Sequence, residues 1–198
     1  MQNEEFFNTR KLVLLALLTA IVIVLQLLGA FIKFGIFSIS LVLLPIAVGA
    51  ALIGVTAGFW LGFIFGLTVL ISGDANIFMA INPAGTFITV ILKGILAGLA
   101  AAIAYKLASK INKTVGAVAA AVICPIVNTG IFIIGAYVFF WDTIVMWSAE
   151  SDFLSATAFL FLGMISGNFL FELGLNVVLC PVIVRLIQYG EATIGKTK

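Results

Sequence analysis

The 198 residues contain no histidine. That removes Ser-His and Cys-His nucleophilic pairs, and with them every zinc site of the HExxH type. What remains are polar side chains lodged in apolar runs: Lys93, Asn128 with Thr129, Asn168 and Glu172. A lysine or glutamate facing lipid costs at least about 2.5–3.5 kcal/mol, so such groups belong on inward faces around a polar cavity. Glu172 lies one helical turn beyond Asn168 on the same face, and Asn176 comes at the same spacing again. Two readings stand side by side. Lys93 and Glu172 can form an ion pair that ties two helices, or these residues can line a site for a small polar molecule. A pair that opens when a ligand arrives satisfies both.

Other candidates sit between the runs. Asp74 follows Gly73, but no second intramembrane aspartate exists to complete an aspartyl dyad. The segment Ser72–Pro83 adds Asp74 and Asn82, which can fold over a pocket or simply join two helices; Asn82 and Pro83 also suit the N-cap and first position of a helix. Trp141 and Trp147 flank a later loop, as interfacial anchors do, and an aromatic there can also cover a ligand. Gly190-Glu-Ala-Thr-Ile-Gly-Lys196-Thr197 fits the phosphate-loop pattern. That loop needs a strand before it and a helix after it, and here one residue remains, so it reads as a solvated tail. Cys124 and Cys180 both precede proline inside apolar runs and read as small packing residues, since one pair without histidine is a poor metal site. No metal and no cofactor is expected.

The elements that must hold these residues are membrane helices. Apolar residues make up 64% of the chain and charged residues 9%, where a soluble domain carries about 45–50% and about 25%. A single domain spanning residues 1–198 is expected, an all-α bundle of six transmembrane helices. The runs are Leu12–Ala30, Ile39–Ile53, Val55–Ile71, Ala84–Tyr105, Val115–Phe140 and Ala156–Ile187. A span needs about 17–25 residues, so the second and third runs are short, with Gly54 as their divider; a re-entrant pair there would leave five spans. The leading run is too long for a signal peptide and lacks a cleavage site. Pro45, Pro125 and Pro181 fall inside runs, where bundled membrane helices tolerate them.

Charge placement sets the orientation. With an even number of spans, Arg10, Lys11, Lys106, Lys110, Lys113, Arg185, Lys196 and Lys198 all fall on one side, eight of the ten basic residues. Asp74, Asp142, Glu150 and Asp152 fall on the other. The positive-inside rule then puts both termini in the cytoplasm. A net charge of +2 gives no ground for a nucleic-acid partner. Lys93, Asn128 and Asn168 come to similar depths, roughly 14–18 Å from the outer surface. Gly58, Gly62 and Gly66, Gly94 and Gly98, and Ala16 and Ala20 repeat at four-residue spacing, which lets helix backbones approach closely. The glycines read as internal packing, and the alanine pair can equally meet another subunit.

Several stretches together resemble a known family. Ala16-Leu-Leu-Thr-Ala20 matches an Ala-x-x-x-Ala motif, and Phe37–Ile46 and Gly49–Gly54 resemble the second helix of the same family. Cys124-Pro-Ile-Val-Asn128-Thr-Gly130 and Asn168-Phe-Leu-Phe-Glu172-Leu-Gly-Leu-Asn176 are similar to a pantothenate-transporter-like branch. The chain thus resembles, over nearly its whole length, the S components of energy-coupling factor (ECF) vitamin transporters. The resemblance implies a non-enzymatic, multi-pass subunit in a bacterial plasma membrane that binds a water-soluble vitamin. It implies a membrane T component and two cytoplasmic ATPases as partners, with Ala16 and Ala20 facing the T component. Candidate ligand contacts are Lys93, Asn128, Asn168, Glu172, Asp74, Asn82 and Trp141. Pantothenate is the leading substrate, because Lys93 can meet a carboxylate; riboflavin, folate or a pyrimidine precursor could use the same groups. Two other classes compete. An intramembrane enzyme lacks its histidine or aspartate dyad, and a channel-like oligomer would use the glycine faces as subunit contacts.

Overall fold

The structure, a computed structural model, describes residues 9–31, 33–34, 37–38, 41–179, 181–182, 184–186 and 189. The phosphate-loop match at 190–197, Cys180 and both termini lie outside the described residues.

Among the described residues eight helices succeed one another: α1 (Thr9–Gly29), α2 (Leu43–Leu52), α3 (Val55–Ser72), α4 (Asn76–Ile81), α5 (Pro83–Ala108), α6 (Lys113–Phe139), α7 (Trp141–Ala149) and α8 (Ala156–Val178). Between α1 and α2 a two-residue antiparallel ladder pairs Lys33 with Ser38 and Phe34 with Phe37. Five of these helices, α1, α3, α5, α6 and α8, are 18–27 residues long and apolar enough to cross a membrane. Their outward faces carry Val13, Ile103, Leu107, Val138 and Leu162 exposed, an arrangement that lipid stabilises and water does not.

The second apolar run behaves differently from the other five. Its helix, α2, has 10 residues and reaches only about 15 Å, half the hydrocarbon thickness. Eight of those residues are buried, so α2 is wedged into the bundle instead of spanning it alone. Gly54 divides it from α3 with φ +111°, a backbone conformation that a residue with a Cβ rarely adopts.

The helix starts are written in the local sequence. The Asn82 side chain accepts a hydrogen bond from the Gly85 amide at 2.9 Å, with Pro83 in the first turn, where its missing N–H costs nothing. Asn112 caps α6 in the same way through the Thr114 amide at 2.8 Å. Within α6, Pro125 removes one backbone hydrogen bond just before Asn128.

The glycine repeats are a seam inside the molecule. α5 packs along α3 on one side and α6 on the other. A Cβ added to Gly62 would lie 2.1 Å from the Gly94 carbonyl oxygen, and one added to Gly98 would lie 2.0 Å from that of Gly58. The backbones of α3 and α5 are therefore in direct contact. This burial of both glycine faces leaves the channel-like oligomer without its proposed subunit contacts. The core gathered around the seam includes Leu43, Ile46, Leu61, Phe65, Ala97 and Ala101. On α1, Leu18, Val22 and Gln26 face inward at four-residue spacing, while Ala16 and Ala20 stay exposed on the other side.

Candidate functional site

A cavity of about 700 Å³, counted out to its open mouth, lies between α1, α3, α5, α6 and α8 beneath α4. Its polar lining comprises Gln26 of α1, Asp74 of the α3–α4 connection, Lys93 of α5, Asn128 and Thr129 of α6, and Asn168 and Glu172 of α8. Val69, Phe78, Val90, Phe132, Met164, Ile165 and Phe169 supply apolar surface between them.

Each polar group reaches the cavity for a local reason. Lys93 sits beside Gly94 of the seam, so the face it occupies is held close to α3; its ammonium lies 5.5 Å from the centroid of the Phe65 ring. It is also within electrostatic reach of Glu172 and Asp74. Asn128 comes one turn after the proline of α6 and is 5% exposed. Asn168 and Glu172 come after a π-helical stretch, Phe159–Ile165, in α8. A π-helix turns more slowly than an α-helix and shifts the register of the residues beyond it; such insertions favour functional sites. Here Met164 and Ile165 at its end and the Asn168–Glu172 face all line the cavity.

Hydrogen bonds lock two of these groups to their neighbours. Gln26 Nε2 donates to Asp74 Oδ2, fastening α1 to the α3–α4 connection. Asn168 Nδ2 donates to Glu172 Oε1 at 3.1 Å. The amide oxygens Gln26 Oε1, Asn128 Oδ1 and Asn168 Oδ1 are buried with no hydrogen-bond partner. Buried acceptors are almost always satisfied, so three around one cavity point to a ligand or water that donates to them.

An aromatic cluster borders the cavity at the α4 end. Phe78 meets Phe140 at 5.0 Å, Phe132 at 5.8 Å and Trp147 at 6.1 Å between ring centroids, all edge-on. Phe78 and Phe132 belong to the lining, so the cavity's wall is continuous with this cluster.

Of the residues singled out from sequence, Lys93, Asn128, Asn168, Glu172 and Asp74 come together on the cavity. Asn82 and Trp141 do not line it. The Asn82 oxygen is engaged in capping α5, and Trp141 stacks on Tyr137 one turn earlier, with ring centroids 4.6 Å apart. Gln26 was missed. The signal was available, because Gln26 and Thr19 are the only polar side chains in the run Leu12–Ala30, and the cost that singles out Lys93 applies to Gln26 equally. Thr19 has a different role: its hydroxyl donates to the Leu15 carbonyl at 2.7 Å and accepts from the Trp60 indole at 3.1 Å, tying α1 to α3. No group of three or more metal-ligating side chains occurs among the described residues.

A lysine, two carboxylates and three amides around one cavity can hold a polar molecule. No curated protein and no solved structure gives a significant match to the chain. The family described as "ECF transporter, substrate-specific component" matches residues 10–184. With a match over most of its length, the chain belongs to the family of substrate-specific components of ECF transporters, the membrane subunits that bind what the transporter carries.

Proposed function

We propose that this chain is the high-affinity substrate-binding subunit of an ECF-type ABC transporter that imports a water-soluble vitamin or related micronutrient. The observation that supports the reading most is the convergence of Gln26, Lys93, Asn128, Asn168 and Glu172 from four helices on one cavity. Such groups are costly inside a membrane unless they serve a solute or each other.

The subunit sits in the plasma membrane of a bacterium with both termini in the cytoplasm, α2 serving as a short sixth span. The α4 end of the cavity then faces outward. ATP hydrolysis belongs to two cytoplasmic ATPases, joined to this chain through a membrane T component. Ala16 and Ala20 are the docking positions: both are exposed, and their small side chains let a partner helix come close. Pantothenate is the first compound to try, since the Lys93 ammonium can meet a carboxylate; riboflavin, folate and pyrimidine precursors come next.

Co-expression with a T component and its ATPases, then affinity purification, tests the reading. The wild-type chain is expected to hold the complex, and Ala16→Leu with Ala20→Leu to lose it while still binding solute. Failure of the wild-type chain to form any complex, or full uptake by the double variant, would remove the mechanical basis of the proposal.

A further inference from the structure

α1 is held to the bundle by few side chains, and one of them is polar. Of its 21 residues, Leu18, Val22, Gln26 and Gly29 are buried. It packs mainly against α3 and α2. Gln26 is the α1 residue on the cavity, and its Nε2 donates to Asp74 Oδ2 in the α3–α4 connection. A hydrogen bond to a carboxylate is stronger than one between neutral groups. This one joins two parts of the cavity wall that lie 48 residues apart in the chain. Asp74 is also within electrostatic reach of Lys93 on α5.

The Asp74 side of this bond belongs to a segment with a break at each end. α3 stops at Gly73 with φ +82°, a left-handed conformation that glycine adopts without strain. α4 has 6 residues and stops at Asn82, whose backbone is extended. Between the two breaks Asp74, Ala75 and Phe78 line the cavity. The segment is moored on two sides. Phe78 packs edge-on against Phe132, Phe140 and Trp147, and Asp74 is tied to α1 by Gln26. Apolar contact has no preferred direction, whereas a hydrogen bond has one. The Gln26–Asp74 bond therefore fixes where the Gly73 end of the segment lies.

We propose that the Gln26–Asp74 hydrogen bond is a latch on the cavity. While it is made, α1 and residues 73–78 form one continuous stretch of wall. When it breaks, that segment turns about Gly73 and the cavity exchanges its contents with the surrounding water faster. Gln26 is thus a positioning residue that acts through Asp74. The inference concerns access to the cavity, so it stands or falls independently of which solute the chain carries.

A thiol placed inside the cavity reads that access. Thr129→Cys puts one on the α6 wall, and its labelling in nanodiscs by a water-soluble, cationic methanethiosulfonate is followed by intact-mass spectrometry. Labelling of the chain with Thr129 intact, which retains Cys124 and Cys180, is subtracted. On this background Gln26→Leu removes the bond, and Gln26→Asn draws the amide back by one methylene. Both are expected to label about tenfold faster or more, since a hydrogen bond to a charged group is lost. Gln26→Asn combined with Asp74→Glu moves the methylene to the other partner and restores the combined reach, so labelling should return to the rate of Thr129→Cys alone. Unchanged labelling in either single variant overturns the latch. Acceleration that the paired exchange does not reverse overturns it too, because Gln26 then only fills space in the wall. Hydrogen exchange of the unaltered chain gives a reading that no misfolded variant can spoil. Residues 73–81 should exchange faster than α3 and α5, and equally slow exchange overturns the turning about Gly73.

Discussion

Replacing Gly62 by alanine should separate α3 from α5, and the size of the effect is set by the seam. The new Cβ would stand 2.1 Å from the Gly94 carbonyl oxygen, 2.7 Å from the carbonyl carbon and 3.1 Å from the Ile95 Cα. All three are backbone atoms, so no side chain can swing away to make room. Restoring an ordinary 3.4 Å contact to the oxygen requires the helices to part locally by about 1.3 Å. A gap of about 0.5–1 Å already forfeits a quarter to a half of each dispersion contact across it. Overpacking of a tight interior typically costs about 1–3 kcal/mol, and a clash confined to backbone belongs at the upper end.

An internal control isolates that cost. A Cβ added to Gly130 of α6 meets nothing within 4 Å, so Gly130→Ala carries the same gain in helix propensity with no clash. The two variants should differ by about 3 kcal/mol, or roughly 6–12 °C in Tm for a chain of this length. Thermal unfolding of both in nanodiscs, monitored by circular dichroism, reads the difference. Equal Tm values for Gly62→Ala and Gly130→Ala would refute the backbone contact, and the position assigned to Lys93 beside it would fall too.

Three further substitutions separate binding from stability. Lys93→Ala and Asn128→Ala each remove one polar group from the cavity lining and should weaken solute binding about tenfold, close to 1.4 kcal/mol, while gel filtration stays monodisperse. Isothermal titration checks both, and full affinity in a folded Lys93→Ala variant would make that lysine a structural cation. Asn82→Ala removes the N-cap of α5 and should cost about 1 kcal/mol of stability with no change in affinity. A lowered affinity with unchanged Tm would return Asn82 to the binding site.

The long helices were legible because lipid imposes a simple requirement: every backbone group must be satisfied within the span, and its outward side chains must be apolar. The runs Val55–Ile71 and Ala84–Tyr105 fall within one residue to a few residues of α3 and α5 for that reason. Asn82 and Pro83 announced the start of α5, and Gly54 the break before α3, because caps and positive-φ positions restrict residue type locally. The run Ile39–Ile53 shows where composition stops being informative. Hydropathy cannot distinguish a helix facing lipid from one walled in by other helices, since both are apolar all round, and α2 is the second kind.

The site was legible by cost and illegible by geometry. Lys93, Asn128, Asn168 and Glu172 stood out because each is expensive within an apolar run, and all four reach the cavity. Asn82 and Trp141 were read from their loop positions alone, where a polar or aromatic residue costs little and signals little. The π-helical stretch Phe159–Ile165 left no mark in the sequence, yet the Asn168–Glu172 face comes directly after it. Gln26 shows that the cost argument had further reach. It is 1% exposed, its NH₂ group is held by a carboxylate 48 residues away in sequence, and its oxygen is buried without a partner. Buried glutamine in a membrane helix demands partners on both ends of its amide. Protein supplies one of them here, and the other falls to water or a solute in the cavity.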